Sequence, residues 1–345
     1  MRNLSLFNKF VFISNIIVTV LTVAGYILPF LAPKLFPVLS VLTLFLPVLM
    51  VINILFLLYW MFQLKKQVLL SAILFILGLT FFTKFYKFSG RDIVAEDTDI
   101  TIMSYNVRLF NYYDWMPNPN VTDDITDFIA SHEPTIVAFQ EYTTAAKPKL
   151  EGYKYKYINV SGKHIKSGQA IYSKYPIVNK GEIIFEDSDN NAIYADIKIK
   201  RDTIRVYSMH MQSVKISEDI QQEIDEKQSK KILLRIAEAF TKQQQQGELI
   251  SQNKLETNLP IVICGDMDNS AYSYDYRTIK GKLKDAFEEA GSGFGKTFNF
   301  EFFPIRIDYI LVDKRFIIKS FKNFSDFKNS DHFPVFTRLN IKREE

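Results

Sequence analysis

The first 83 residues contain three long stretches without one charged side chain: residues 10–33, 35–64 and 67–83. A helix needs about 20 mostly apolar residues to cross the hydrocarbon of a bilayer. The first two stretches exceed that length and the third sits at its lower limit, so the pattern predicts three transmembrane helices within residues 1–84. A cleaved signal peptide would have a shorter apolar region and no further apolar runs behind it. Soluble core helices rarely run this long without charge. Pro29, Pro33, Pro37 and Pro47 do not oppose the reading, because neighbouring helices satisfy the carbonyls that a membrane proline frees. No ionisable residue interrupts the stretches, which favours an anchor over a channel or transport unit.

Orientation follows from flanking cations. With the N-terminus inside, Arg2, Lys9, Lys65 and Lys66 are cytoplasmic, while Lys34, Lys84, Lys87 and Arg91 oppose the rule. The reverse topology scores almost equally. The compact Lys65–Lys66 turn tips the count toward a multi-pass protein whose C-terminal part is extracytoplasmic.

Residues 85–98 are polar and read as a linker. From residue 99 to 341 the pattern becomes strands alternating with helices, the signature of one α/β domain. Strands are expected at 100–103, 136–139, 170–173, 192–199, 204–209 and 261–264. Helices are expected at 123–131 and 218–246, with the glutamine run 243–246 as a solvated helix end. The single cysteine, Cys264, excludes an internal disulfide and reads as a small buried filler. The net charge of +4 is spread along the chain and does not indicate nucleic acid. No protein partner can be inferred.

Several apolar strands end on polar groups. Asn106 closes Ser-Tyr-Asn, Glu141 closes Gln-Glu, and His210 follows 204–209. Asp266 and Asp268 lie in Gly-Asp-Met-Asp, Asp308 in Ile-Asp-Tyr, and Asp331 and His332 in Ser-Asp-His. A polar residue at the end of a rigid strand is commonly a site residue. Asn, Glu, His and Asp gathered in this way suggest one divalent-metal site that cuts a phosphate ester. His132 and His164 match nothing and read as surface residues.

The order and spacing of SYNVRLF (104–110), AFQEY (138–142), SGQAIYSKYPI (167–177), SMHMQS (208–213), ICGDMDN (263–269), RIDYILVD (306–313) and SDHFPV (330–335) resemble the endonuclease/exonuclease/phosphatase superfamily. The resemblance covers roughly residues 98–341. It implies a four-layer α/β sandwich, two mixed β-sheets flanked by helices, with a site at one edge. It implies Mg²⁺ or Mn²⁺ as cofactor, with Glu141 as metal ligand, Asp331 as second carboxylate and Asn106 close by. Asp308 and His332 would act as a pair, Asp266 would orient the attacking water as general base, and His210 would contact a phosphate oxygen or protonate the leaving group. Substrates in the family include nucleic acids, phospholipid head groups, phosphoinositides and small phosphate esters, so the resemblance implies a phosphodiesterase of nuclease type or, alternatively, a phospholipid or phosphoinositide phosphoesterase.

Asp268 departs from the family's usual Asn. An ionised Asp can only accept a hydrogen bond, whereas Asn can donate one to phosphate. Reduced activity, a protonated or metal-bound Asp268, and transfer of the donor role to Asn269 are all compatible with this. A weakened protein that binds a phosphorylated ligand without turnover is the alternative reading. If the family arrangement holds, Asp268→Asn is expected to raise the rate.

Overall fold

Apolar runs with no polar face avoid water on every side, and this shapes both halves of the chain. The computed structural model describes residues 4–214 and 226–342. The N-terminal runs form helices α1 (Leu6–Ile27), α2 (Pro37–Ser40), α3 (Leu46–Phe62) and α4 (Val68–Phe85). Three segments, Leu6–Phe30, Pro37–Phe62 and Val68–Phe85, are long and apolar enough to cross a membrane. Small residues let these helices approach closely. At Gly78 of α4 a Cβ would collide with the Tyr26 hydroxyl of α1. Tyr26 in turn stacks on Phe81 at 4.6 Å.

The remaining helices are α5 (Val121–His132), α6 (Glu226–Asn253), α7 (Tyr274–Lys280) and α8 (Ala286–Ala290). Residues 218–225 of the expected long helix lie outside the described residues. The strands are β1 (Ile100–Asn106), β2 (Ile136–Thr143), β3 (Tyr155–Ser161), β4 (Ser167–Ser173), β5 (Ile177–Ile184) and β6 (Asn191–Ile199). They continue with β7 (Asp202–His210), β8 (Ile261–Asp266), β9 (Lys284–Asp285), β10 (Asp308–Val312), β11 (Phe316–Asn323) and β12 (Val335–Ile341).

They form two six-stranded sheets, ordered β11-β12-β1-β2-β4-β3 and β5-β6-β7-β8-β10-β9. Both sheets are mixed, with helices at their flanks, as expected. Each has one parallel pair at its centre, β1 with β2 and β7 with β8. Both flanking neighbours of each pair run antiparallel. Alternate residues fill the space between the sheets: Ile102, Ile136 and Ala138 from one, Ala195, Val206, Val262 and Ile310 from the other. The opposite face of the first sheet is covered too, with Tyr105, Val137 and Phe139 packed against Ile125 and Ile129 of α5. Burial of a large apolar side chain contributes about 1.5–3 kcal/mol, so these doubly covered strands dominate the fold.

The chain divides into two compact units. The described residues of 1–85, 214–244 and 270–277 form one; those of 86–213, 245–269 and 278–345 form the other. In the helical unit, Ile236, Ala237 and Phe240 of α6 cluster with Val41. Tyr272 packs with Leu46 and Met50, and its hydroxyl donates to the Phe81 carbonyl at 3.1 Å.

Two local expectations change. The glutamine run is mostly not solvated: Gln243, Gln244 and Gln246 are buried and Gln245 is exposed. Gln244 Oε1 accepts from Lys34 N at 3.0 Å and Gln246 Oε1 from Gln212 N at 2.8 Å, so these amides satisfy backbone donors outside their own helix. Residues 86–98 are tied to the sandwich, first at Ala290 and Gly293 and then, from Asp92, along the edge strand β11. Ile93 N donates to Lys319 O, and Lys319 Nζ lies 2.8 Å from Glu96 and 2.9 Å from Asp99.

Candidate active site

The topology gathers one end of four central strands. β1 and β2 run in parallel and end near Asn106 and Glu141; β7 and β8 do the same in the second sheet and end on His210 and Asp266. Antiparallel β10 begins at this edge, with Asp308 paired to Asp266. Antiparallel β12 begins just after His332, with Val335 paired to Ser104. Gly265 makes the approach of β7 and β8 possible: at φ 137° it lies where a Cβ would run into the Met209 carbonyl oxygen.

Asp266 is fully buried at the centre. Its Oδ2 accepts from Asn106 Nδ2 at 3.0 Å and lies 3.5 Å from His332 Nε2 and 3.7 Å from His210 Nε2. Its Oδ1 accepts from the Asp268 backbone N–H at 2.8 Å. Asn106 also donates to Glu141 at 3.2 Å, and its own Oδ1 accepts from Arg108 N. His210 Nε2 is 3.5 Å from Asp268 and 3.8 Å from Glu141. His332 Nδ1 faces Asp308 at 3.0 Å. The structure thus joins Asn106, Glu141, His210, Asp266, Asp268, Asp308 and His332 in one network. Asp331 stands beside it, with its carboxylate paired to Arg108 at 3.2 Å.

Burial alone would lower both histidines, but the surrounding anions outweigh it. The Asp268 hydrogen bond and the charges of Asp266 and Glu141 push His210 up to about 9. Asp308 and Asp266 hold His332 well above its ordinary value. Burial and the neighbouring Asp266 charge push Asp268 up to about 7, against the pull of His210. Burial likewise raises Asp308 to about 6, against the pull of His332. Two triads, His210–Asp266–Asp268 and Asp266–Asp308–His332, bring ligand-type atoms close together. With both imidazoles holding protons, the ligand atoms left are carboxylate oxygens, which suit Mg²⁺ or Mn²⁺. The four carboxylates facing two imidazoles leave surplus buried negative charge that such an ion would offset.

Strained backbone marks the same edge. Glu141 has φ 50° inside a bulge of β2, and Asp268 has φ 49°. Motif reading missed several supports. Between the sheets, Gln140 Nε2 donates to Ser208 Oγ at 2.9 Å, and Ser208 donates to Gln169 Oε1 at 3.0 Å. Thr297 Oγ1 accepts from the N–H of Asp308 at 3.1 Å, and Ser330 Oγ donates to the Asn106 carbonyl at 2.9 Å. Gln140, Gln169, Ser208 and Ser330 lie inside the motifs but carried no assigned role, and Thr297 lies outside them. Tyr309 packs beside the site, its hydroxyl near the Asn269 and Arg306 carbonyls. His164 is exposed, but His132 is half-buried between Phe128 and Phe324. Cys264 is buried, as a filler should be.

Comparison with known proteins agrees with this architecture. Residues 103–332 match the Endonuclease/Exonuclease/phosphatase family, and residues 8–85 match a domain of unknown function (DUF8431). No curated protein matches the chain in sequence. Among solved structures, an endonuclease/exonuclease/phosphatase from Bacteroides vulgatus is similar at 21% identity and TM-score 0.55, over 71% of this chain and 100% of that one. The human Nocturnin catalytic domain with bound sulfate anion is similar at 15% identity and TM-score 0.54, over 73% and 97%. D. rerio TDP2 complexed with single strand DNA product is similar at 15% identity and TM-score 0.53, over 71% and 100%. At these identities the likeness is one of fold.

Proposed function

This chain belongs to the endonuclease/exonuclease/phosphatase family, and from that premise we propose that it is a divalent-metal-dependent hydrolase of phosphate esters, anchored in a membrane by its N-terminal helices. The observation that carries the reading is the setting of Asp266. One of its oxygens faces an amide donor and two imidazoles within 3.7 Å, and the other is fixed by a backbone N–H. A carboxylate held in this way can accept the proton of an attacking water.

Glu141, with Asn106 and Asp331, would hold Mg²⁺ or Mn²⁺, which when bound supplies Lewis-acid stabilisation of charge on the phosphoryl oxygens. Asp331 would then share its carboxylate with Arg108. His332, kept protonated by Asp308, presents Nε2 to the same space and can donate to a phosphate oxygen as negative charge develops. His210, whose Nε2 converges on Asp266 and Asp268, can donate to a non-bridging oxygen or to the leaving group. We place the sandwich on the extracytoplasmic side, as the Lys65–Lys66 turn indicates.

The test is a substrate panel on full-length protein with Mg²⁺: single-stranded and duplex nucleic acid, phospholipids, phosphoinositides and a small phosphodiester. Metal-dependent hydrolysis that Asp266→Asn and His332→Ala abolish is the expected result. Binding of phosphorylated ligands with no turnover of any ester would favour the non-catalytic reading, with Asp268 as its cause.

A further inference from the structure

Two loops rich in exposed aromatic rings flank Asp331 and His332, and the proposed chemistry uses neither. The first follows Asn106. Arg108, Leu109, Phe110 and Asn111 all have left-handed backbones, with φ between 40° and 58°, although none is glycine. Each such residue costs about 1–2 kcal/mol, so the surrounding contacts must enforce the turn. Phe110 is buried 5.5 Å from Tyr142, and Asn111 clamps the loop base by accepting from Met116 N and donating to Met116 O, both at 2.9 Å. The strained turn therefore presents a fixed tip on which Tyr112, Tyr113 and Trp115 are 46%, 54% and 44% exposed. Arg108 lies 4.6 Å over the Trp115 ring and pairs with Asp331.

The second loop lies between Thr297 and Ile305. Phe298 packs edge-on against the His332 ring at 5.0 Å, and Asn299 N donates to the Asp331 carbonyl at 2.7 Å. Beyond them, Phe300 and Phe302 meet at 5.6 Å, and Phe302 is 77% exposed. Both loops are thus tied to the residue that precedes His332, one through its side chain and one through its backbone.

We propose that these two loops form the subsite for the alkyl chain of an amphiphilic phosphate ester, which makes such esters the substrate class. The proposal rests on the hydrolase reading above. Two features argue against a nucleic-acid track. The rings are tilted to one another by 89°, 59° and 66°, so they offer no parallel platform for successive bases. Their charges offer no cationic excess either, with Arg108 alone against Asp114 and Glu301, whereas a polyanion calls for one. Tilted ring faces and edges suit a flexible methylene chain. The three apolar helices of the same chain fit an enzyme that works among amphiphiles.

The experiment uses full-length protein in lipid nanodiscs with p-nitrophenyl alkyl phosphodiesters from methyl to hexyl, all water-soluble. The wild type should gain in kcat/KM with each methylene, up to about four-fold per buried group. In Trp115→Ala with Phe302→Ala the hexyl-to-methyl ratio should fall at least five-fold, and Trp115→Phe should restore part of it. A wild-type rate indifferent to chain length, an unchanged ratio in the double variant, or strong preference for oligonucleotides would overturn the proposal. If no ester is cleaved, binding of alkylphosphonic acids by calorimetry separates the two ideas. Affinity rising with chain length, and lost in the double variant, upholds the subsite without the hydrolase; flat affinity overturns the subsite.

Discussion

Polar groups are buried in both units, but on different terms. Among the apolar helices they are neutral and meet across helix pairs: Asn15 Nδ2 donates to Ser71 Oγ at 3.0 Å, and Asn53 Nδ2 to Thr22 Oγ1 at 2.6 Å. Within the sandwich, the structural ion pair Asp196–Arg205 is matched one to one, with contacts of 2.6 and 2.9 Å. At the sandwich edge the match fails. Glu141, Asp266, Asp268 and Asp308 crowd around His210 and His332, and several of these groups are pushed from their ordinary pKa. Structure alone would not retain such an excess of buried charge, because desolvation makes it costly. A group satisfied by one partner supports the fold; groups left in surplus mark the site.

The most drastic way to break this comparison is to delete the helices. Residues 226–244 and 270–277 fold with them, and a fragment of residues 86–345 would leave Ile236, Phe240 and Tyr272 without their partners Val41, Leu46 and Met50. The fragment is expected to be insoluble or molten by near-UV circular dichroism. A cooperative melt equal to that of the full chain would show that the helices only anchor.

Removing the surplus charge should separate activity from stability. Asp266→Asn, Glu141→Gln and EDTA treatment should each reduce hydrolysis by about 10²–10⁴-fold, the usual worth of an acid–base group or a metal. Metal-free Glu141→Gln should nevertheless melt no lower than metal-free wild type, because one crowded charge is gone. Full activity in EDTA sinks the metal reading, and a large fall in Tm assigns Glu141 to the fold. The matched pairs should behave in the opposite way. Asp196→Ala leaves Arg205 buried and alone, at a cost of about 3–5 kcal/mol in chemical denaturation. Asn15→Leu in the helices should cost only about 0.6 kcal/mol, the typical worth of a membrane hydrogen bond.

How much could be read from the chain follows from the same distinction. β1, β2, β7 and β8 were legible because both their faces are covered, which demands uninterrupted apolar residues. β3 and β5 have half-exposed edge patterns and resemble loops in sequence. Asn106, Glu141, His210 and Asp266 were legible because each ends or follows such a run, and His332 through the Ser-Asp-His motif ahead of β12. The burial of the glutamine run was not, since an amide capping Lys34 N looks in sequence like one facing water. Nor was the left-handed turn at Arg108, which carries no glycine to announce it. Its stability comes from Phe110 and Asn111, whose partners are distant or generic.

Asp268 offers the finest test, since the sequence made it an obstacle and the structure makes it a partner. Its Oδ2 stands 3.5 Å from His210 Nε2, where a carboxylate helps to hold the imidazole proton. Loss of that charge should let the His210 pKa fall from about 9 toward its ordinary value of about 6.5. The sign follows from linkage: a raised histidine pKa lends stability that is complete below the unfolded value and is lost as pH rises through the folded one. In metal-free protein this contribution should therefore fade between pH 6.5 and 9 in wild type, and Asp268→Asn should lack much of it. If His210 acts as a donor, the alkaline limb of the pH–rate profile at saturating Mg²⁺ should move to lower pH in Asp268→Asn. The rate gain expected from an Asn donor to phosphate would then appear only on the acid side. An unmoved alkaline limb would leave Asp268 with no role in holding the proton. A general collapse of rate at every pH would place its carboxylate among the metal ligands.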